Sequence, residues 1–423
     1  MKHFLIISII LFSPTAAFAY LDPGTGGVLV NIIVASVAAA IYFIRELILR
    51  FFKKGGYVDN RENVNYEEPK IAILSEGLQY WGTFKPIVDA LIQNKLPFKY
   101  YSLDVNDPAL TIENDLMHSQ FLGYGPWSYT RVAHIKADTL LTTTPNIGTK
   151  GSPIRKPAGV NNLMHVFHSI NDLSMYKTGS LDQYDSVILV GDFQIKSIRE
   201  IEKLRNLKEK ELLPLGLPYL DELVKEKRDE MRKQDMKTIL IGSSWGSKGC
   251  LQSYGTEFIK QIALAGYYVI VRPHPQSYIS EKELIKKCKN ELSQIQNIEW
   301  DELISPSTSM GRADLLISDT SSVRFDFAFL YEKPVITLAI DAGEMPGYER
   351  DYLSTIWTDK SSREIGFVVE RASIGQLSKY IEKAFIEFDP SKICQIRNQT
   401  IHHFGDSGTF IAKHFAEQQK KNK

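Results

Sequence analysis

The sequence predicts an α/β protein of two Rossmann-like doubly wound domains facing across a cleft, preceded by an N-terminal membrane anchor. Three observations carry that expectation. A chain of 423 residues with 43% hydrophobic content is too long for one ordinary core and long enough for two. Short apolar strand-like runs alternate with helix-spaced segments, and the alternation stops at a highly charged stretch and then begins again. Two apolar segments precede the first alternation.

The amino terminus reads as a targeting region. Lys2 is followed by the apolar run Phe4 to Phe12 and by Ala17-Phe18-Ala19, the pattern of a signal peptide or a first transmembrane segment over residues 1–19. Leu21 to Gly27 is a turn-rich loop. A second apolar stretch, residues 28–52, is long enough at about 1.5 Å per residue to cross a bilayer as a transmembrane helix. Arg45, Arg50, Lys53 and Lys54 follow its apolar run Val28 to Ile44, and the positive-inside rule holds that side in the cytoplasm. This places the protein at the inner (cytoplasmic) membrane with its large domains facing the cytoplasm. The competing reading makes the second stretch a buried helix of an exported protein. Residues 53–69 are polar, contain Gly55-Gly56 and end at Pro69, as a tether would.

Composition excludes several classes. Lys plus Arg equals Asp plus Glu, so a formal net charge of zero gives no general attraction to a nucleic-acid backbone. The three cysteines, Cys250, Cys288 and Cys394, are scattered in a way that suits neither a disulfide framework nor a zinc cluster.

A first Rossmann-like domain is expected over residues 70–213. Lys70 to Leu74 and Phe98 to Leu103 read as strands around a helix from Gly82 to Gln93, which makes a βαβ unit. Further strands are expected at Thr139 to Thr143, Leu163 to Phe167 and Ser186 to Val190, with a charged helix from Ile195 to Lys210. Residues 214–236, with the charged helical stretch Tyr219 to Lys233, read as a connector. The second domain, 237–385, has strand-like runs at Thr238 to Ile241, Tyr267 to Val271, Asp314 to Ile317 and Pro334 to Leu338, and residues 386–423 form a helical tail. In such folds a ligand sits at the carboxyl ends of the strands.

The most informative segment runs from Leu315 to Ala328. A buried-type strand leads into the turn Ser318-Asp319-Thr320-Ser321-Ser322 and then a helix. Backbone N–H groups at the helix start, with the hydroxyls of Thr320, Ser321 and Ser322, can cradle a diphosphate without a lysine. Asp326, one turn on, can take ligand hydroxyls. The plainer reading makes Asp319 or Thr320 a helix cap. A second segment, Tyr267 to Pro275, ends a strand with Arg272-Pro273-His274-Pro275. The prolines fix where His274 points, and an arginine with an imidazole suits a phosphate-bearing ligand. His168, just past the apolar run Met164 to Phe167, is placed to deprotonate an acceptor hydroxyl, whereas His165 on the strand suits a core histidine. Ser243-Ser244-Trp245 and Ser75-Glu76-Gly77 are strand-end loops facing the expected cleft or plain turns. His402-His403 reads as surface or packing. No P-loop, nucleophile elbow or zinc signature occurs.

Together these segments resemble the CDP-glycerol glycerophosphotransferase family, the teichoic-acid-type glycerophosphotransferases of GT-B fold. Val271-Arg272-Pro273-His274-Pro275 is similar to the family's basic-residue-Pro-His-Pro element, and Ile317 to Ala328 to its Asp-x-Ser-Ser…Phe-Asp-Phe element. Gly216-Leu217-Pro218-Tyr219-Leu220-Asp221 resembles its Gly-x-Pro…Asp linker, and Ser243-Ser244-Trp245-Gly246 its Pro-Thr-Trp loop with the proline replaced. The family's Trp-His-Gly segment is matched by Phe167-His168-Ser169, where only the histidine is kept.

The resemblance implies a transferase that moves glycerol phosphate, or a similar polyol phosphate, from a CDP-linked donor to a hydroxyl of a lipid-linked or polymer acceptor at the membrane. His168 and His274 would be catalytic. Arg272, Asp319, Thr320, Ser321 and Ser322 would bind the donor diphosphate. Asp326, Ser243, Ser244 and Trp245 would meet the polyol or nucleotide, and Glu76 would lie on the acceptor side. The first domain would hold the acceptor and the second the donor. No metal ligand and no required cofactor are expected, with Mg2+ as an optional ion, and no nucleic-acid partner. The rival reading is a GT-B glycosyltransferase that uses a nucleotide sugar in surface-polysaccharide synthesis; a further rival is an inactive transferase that serves as a scaffold.

Overall fold

The computed structural model of the chain describes residues 36–37, 70–227, 236–303, 305–340 and 346–421. The expected signal peptide, transmembrane helix and tether lie outside the described residues, apart from Ser36 and Val37, which are helical. Among the described residues no helix is long and apolar enough to cross a membrane. Glu67–Lys423 form one compact unit.

Two all-parallel sheets form this unit. The first has seven strands in the order β3-β2-β1-β4-β5-β6-β7, and the second six in the order β10-β9-β8-β11-β12-β13. The first sheet comprises β1 (Ile71–Ser75), β2 (Phe98–Ser102), β3 (Met117–Phe121), β4 (Lys136–Thr142), β5 (Gly159–Val166), β6 (Ser186–Ile188) and β7 (Glu211–Leu213). The second comprises β8 (Thr238–Ser243), β9 (Tyr268–Pro273), β10 (Ile298–Trp300), β11 (Leu315–Ser318), β12 (Val335–Leu338) and β13 (Gly366–Val369). Each sheet reverses its winding direction once, between β1 and β4 and between β8 and β11. Such a switch leaves a crevice at the carboxyl ends of the two central strands.

The central strands are apolar because helices cover both faces. Ile71, Ala72, Ile73 and Leu74 are each at most 1% exposed, and Ile239 to Ile241 are fully buried. Four strands escaped the sequence pattern: β3, β7, β10 and β13. They are peripheral and short, and β3, Met117-His118-Ser119-Gln120-Phe121, has one buried residue among half-buried and exposed ones. The expected helix at 195–210 is Phe193–Arg205, closed by Asn206 in the left-handed region (φ 52°) before β7.

Helix Trp81–Gln93 buries Phe84, Ile87, Val88 and Leu91, one stripe at helical spacing, against one face of the first sheet. The carboxy-terminal helix Ser407–Lys421 packs beside it with Ile411, Ala412 and Phe415, so the last segment belongs to the first domain's core. Its start is fixed by Asp221 of helix Pro218–Glu226, whose carboxylate accepts the Ser407 and Gly408 N–H groups at 3.0 and 2.7 Å. Burial raises the Asp221 carboxyl to about 6, against the downward pull of those two bonds.

A second tie runs from the other domain. The Thr178 N–H donates to Gly347 and the Glu349 N–H to Tyr176, both at 2.8 Å. The buried Glu349 carboxylate accepts the Gly179 N–H and the Arg205 guanidinium, each at 2.9 Å, and Arg205 also binds Asp182 at 2.7 Å. Phe193 stacks on Trp357 with ring centroids 3.9 Å apart. The Thr358 N–H, in helix Trp357–Ile365, donates to Asp172 at 2.9 Å.

At Gly408 a β-carbon would lie 2.5 Å from the Pro86 carbonyl oxygen, so the closing helix approaches helix 81–93 by having no side chain there. Gly408→Ala is expected to lower the unfolding free energy by about 1–3 kcal/mol, the usual range for overpacking, as read in urea denaturation. An unchanged midpoint would mean that the closing helix does not dock this tightly.

Candidate functional site

The crevice of the second sheet is built around one carboxylate. Asp319 follows β11 and is fully buried. It accepts the Ser244 N–H (2.9 Å), the Cys250 N–H (2.7 Å) and the Ser321 N–H (3.0 Å), and the Ser243 hydroxyl at 3.4 Å. Those donors belong to the loop after β8 and to the turn after β11. Asp319 therefore locks the two loops together, its carboxylate oxygens facing the protein's own N–H groups. Ser243 is likewise turned inward, donating to the Ser244 carbonyl and accepting the Leu251 N–H.

What the lock presents to solvent is a row of hydroxyls. Ser244, Thr320, Ser321 and Ser322 are half-buried, and the Ser244 and Thr320 hydroxyl oxygens lie 3.5 Å apart. Ser322 opens helix Val323–Tyr331, whose first N–H groups lie beside these hydroxyls. Trp245 is 52% exposed at the lip of the same loop.

Arg324 was not singled out from the sequence, although it stands inside the quoted motif. It is buried beneath the turn and donates to the Asp319 carbonyl at 2.7 Å, and its Nε has no hydrogen-bond partner. Burial lowers its guanidinium to about 10, against the upward pull of Asp319, Asp359 and Asp172, so it is a cation at neutral pH. Its charge offsets that of Asp319 directly under the hydroxyl row. Asp326 is only 4% exposed, its Oδ1 has no hydrogen-bond partner, and burial raises it to about 7. Burial, and then the charge of Asp326, raises the phenol of Tyr219 in the connector.

β9 delivers Arg272 and His274 beside this turn. Arg272 is mostly buried and forms an ion pair with Asp301 at 2.6 Å, so its guanidinium is held at the end of β9. The His274 ring is solvent-exposed, and its Nδ1 accepts the Gln276 N–H at 3.1 Å. In the neutral ring this bond assigns the proton to Nε2, the nitrogen free to donate to a ligand. The surrounding protein lowers the His274 pKa, helped by Arg272 and opposed by Asp319 and Glu281.

The first domain contributes the facing wall. His168, just past β5, is exposed to solvent yet ringed by protein, which pushes its pKa down to about 4; the second cause is the charge of His274, so the two imidazoles of opposite domains lie within electrostatic reach of each other. Tyr80 packs edge-on against His168 with centroids 5.2 Å apart, and burial and then Glu76 push its phenol up to about 12. Glu76 is half-buried after β1, on the same side as Tyr80 and Tyr184. His165 is a core residue, as expected. It is fully buried, meets the Tyr176 hydroxyl at 3.1 Å, and is pushed by burial down to about 3. His402 is packing too, its Nε2 2.9 Å from Asp192. Among the described residues no cluster of three or more His, Cys, Asp or Glu could hold a metal ion.

Two parallel doubly wound sheets, with a hydroxyl-lined turn on one and a histidine within electrostatic reach of it on the other, make a GT-B-like fold. Residues 177–398 match the family described as CDP-glycerol:poly(glycerophosphate) glycerophosphotransferase, and the chain belongs to that family. Among solved structures it is similar to the wall teichoic acid polymerase TagF, at 16% identity and a TM-score of 0.55 over 92% of this chain and 98% of that one. It is also similar to UDP-GlcNAc 2-epimerase of Methanocaldococcus jannaschii in complex with UDP-GlcNAc and UDP, at 12% identity and a TM-score of 0.54 over 82% and 99% of the two chains. A putative UDP-N-acetylglucosamine 2-epimerase of Listeria monocytogenes matches at 12% identity and a TM-score of 0.53, over 84% and 97%. At these identities the likeness is one of fold. No curated protein matches the chain.

Asp319→Asn would turn an amide NH2 toward backbone N–H donors. We expect a loss of about 2 kcal/mol or more in unfolding free energy, from buried N–H groups left without acceptors, read in urea denaturation. A fully stable variant would show that the two loops hold without the carboxylate.

Proposed function

We propose that the protein transfers glycerol phosphate, or a related polyol phosphate, from a CDP-linked donor to a hydroxyl of a cell-surface polymer or glycolipid at the cytoplasmic face of the inner membrane. The observation that carries this reading is the pairing across the cleft of His168 with His274 beside the hydroxyl row.

In the proposed reaction the acceptor hydroxyl gives its proton to His168 as its oxygen bonds to the donor's β-phosphorus. The bond from that phosphorus to the bridging oxygen breaks, and CMP leaves with the bonding electron pair. The low pKa of His168 keeps its imidazole neutral and ready to act as base. His274 donates from Nε2 to a phosphate oxygen, and Arg272 adds positive field from its anchored position. Ser244, Thr320, Ser321, Ser322 and the start of helix 323–331 hold the diphosphate, while Asp319 and Arg324 position that turn from beneath. Trp245 offers a face to the nucleotide, Asp326 an acceptor to the polyol or ribose, and Glu76 a polar contact to the acceptor. The reading requires no metal ion, and turnover in EDTA tests that point.

CMP release from CDP-glycerol by the full chain in detergent, with lipid extract as acceptor, tests the whole. His168→Ala and His274→Ala are each expected to reduce it by about 10²- to 10⁴-fold. Turnover of a sugar nucleotide in place of CDP-glycerol would replace this reading with a glycosyltransferase.

The pH profile gives a separate check. Because protonation disables the base and the fold lowers its pKa, the acid limb of kcat/KM should fall below the ordinary histidine value of about 6.5, toward 4. An acid limb at 6.5 or above would assign the proton transfer to another group.

A further inference from the structure

The carboxyl ends of β1, β2 and β3 are in register, with Ser75 beside Ser102 and Ser102 beside Phe121. Three residues past each of these aligned ends stands an exposed apolar side chain. Leu78 is 42% exposed, Val105 42% and Tyr124 40%; Trp127, just beyond Tyr124, is 63% exposed. Strands lie about 4.8 Å apart, so the equivalent positions form a row along the sheet's end. The strand ends are joined, since the Leu78 N–H donates to the Asp104 carboxylate at 3.3 Å, the Leu103 N–H to the Ser75 carbonyl at 3.0 Å and the Leu122 N–H to the Ser102 carbonyl at 2.9 Å. The row begins at the strand that carries Glu76 and ends at the edge strand β3.

Its setting is almost free of charge. Residues 121–130, Phe-Leu-Gly-Tyr-Gly-Pro-Trp-Ser-Tyr-Thr, contain no ionisable side chain other than two phenols. Asp104, the nearest acid in the row, is occupied by the N–H groups of Leu78 and Asn106. A tryptophan, a tyrosine and aliphatic side chains exposed together, with one carboxylate held by backbone N–H groups and one arginine, Arg131, held by the Leu122 carbonyl, are the composition of a surface seated at the headgroup level of a bilayer.

The same sequence carries the apolar stretch 28–44 upstream of β1. Residues 53–69 between it and the fold can span roughly 60 Å when extended, against about 17 Å for the length of β1, so the sequence leaves enough chain for the far end of the sheet to reach a lipid surface.

We infer that the rim formed by Leu78, Val105, Tyr124 and Trp127 is a membrane-contact surface, which seats the acceptor side of the cleft against the bilayer. This rests on the membrane placement proposed above and adds which face of the fold meets the lipid.

The chain's five tryptophans are Trp81, Trp127, Trp245, Trp300 and Trp357, and none lies before residue 70, so tryptophan fluorescence reports only on the folded unit. The full chain would be reconstituted with vesicles of phosphatidylcholine and phosphatidylglycerol, with and without dibrominated phosphatidylcholine. Quenching by the brominated lipid is expected, with most of it lost in Trp127→Phe and kept in Trp245→Phe. Leu78→Ser/Val105→Ser, which leaves Trp127 in place, should reduce it as well. Flotation with the vesicles but no quenching, or quenching unchanged by Trp127→Phe, would overturn the rim and leave the membrane placement standing. Failure to float would overturn both.

Discussion

The Asp319 carboxylate is the constraint on which the crevice of the second sheet depends. A doubly wound sheet brings two loops together where its winding reverses, but backbone N–H groups there have no strand to pair with. One buried acid accepts three of them, from Ser244, Cys250 and Ser321. The loops are then held close enough that a β-carbon on Gly249 would sit 2.1 Å from the Ser244 carbonyl oxygen. Burying a charge is unfavourable by itself, and the N–H donors together with nearby Arg324 compensate it. With the loops fixed, the hydroxyls of Ser244 and Thr320 lie side by side, 3.5 Å apart, and on the proposed reading this is the preorganisation that an anion site requires.

The same device recurs at the joints between domains. Asp221 of the connector caps the closing helix of the first domain, Asp172 of the first domain accepts the Thr358 N–H of the second, and Glu349 of the second accepts the Gly179 N–H and Arg205 of the first. Each joint is a carboxylate met by backbone N–H groups, which hold it in a direction as well as at a distance. The geometry of the cleft thus depends on acids that need touch no ligand. Substitution of any of them would change how the two histidines face each other without changing either one.

These facts also separate what the sequence makes legible from what it does not. Central strands such as Ile239 to Ile241 are readable because burial on both faces demands an unbroken apolar run. β3 and β7 are not, because an edge strand keeps polar residues and few positions. His168 and His274 are readable as strand-end residues, since a Rossmann-like sheet sends such positions to its crevice. Asp319 is readable as part of the turn, but not the direction of its carboxylate: one sequence cannot show which way a carboxylate points, and its partners Cys250 and Ser244 lie 69 and 75 residues away. Arg324 is hidden for the same reason, as an arginine in a helix's first turn reads as surface until the sheet is folded above it.

The charge balance of the cleft follows from these placements. His168 and His274 each have a lowered pKa, and each lies within electrostatic reach of the other, so near neutral pH both rings are neutral. Protonating one raises the cost of protonating its partner. On the proposed reading a diphosphate brings negative charge to the His274 side, which relieves that cost where charge moves during the reaction. The proton taken by His168 then arrives opposite a phosphate group already held by His274, the hydroxyl row and the helix start. A ring that was cationic before the donor arrived could not accept that proton, and a ring far from the phosphates would not be stabilised once it had. On that reading a lowered basicity and closeness to the phosphates are complementary requirements, and the position of His168 at the end of β5, within electrostatic reach of His274 at the end of β9, is what would meet both.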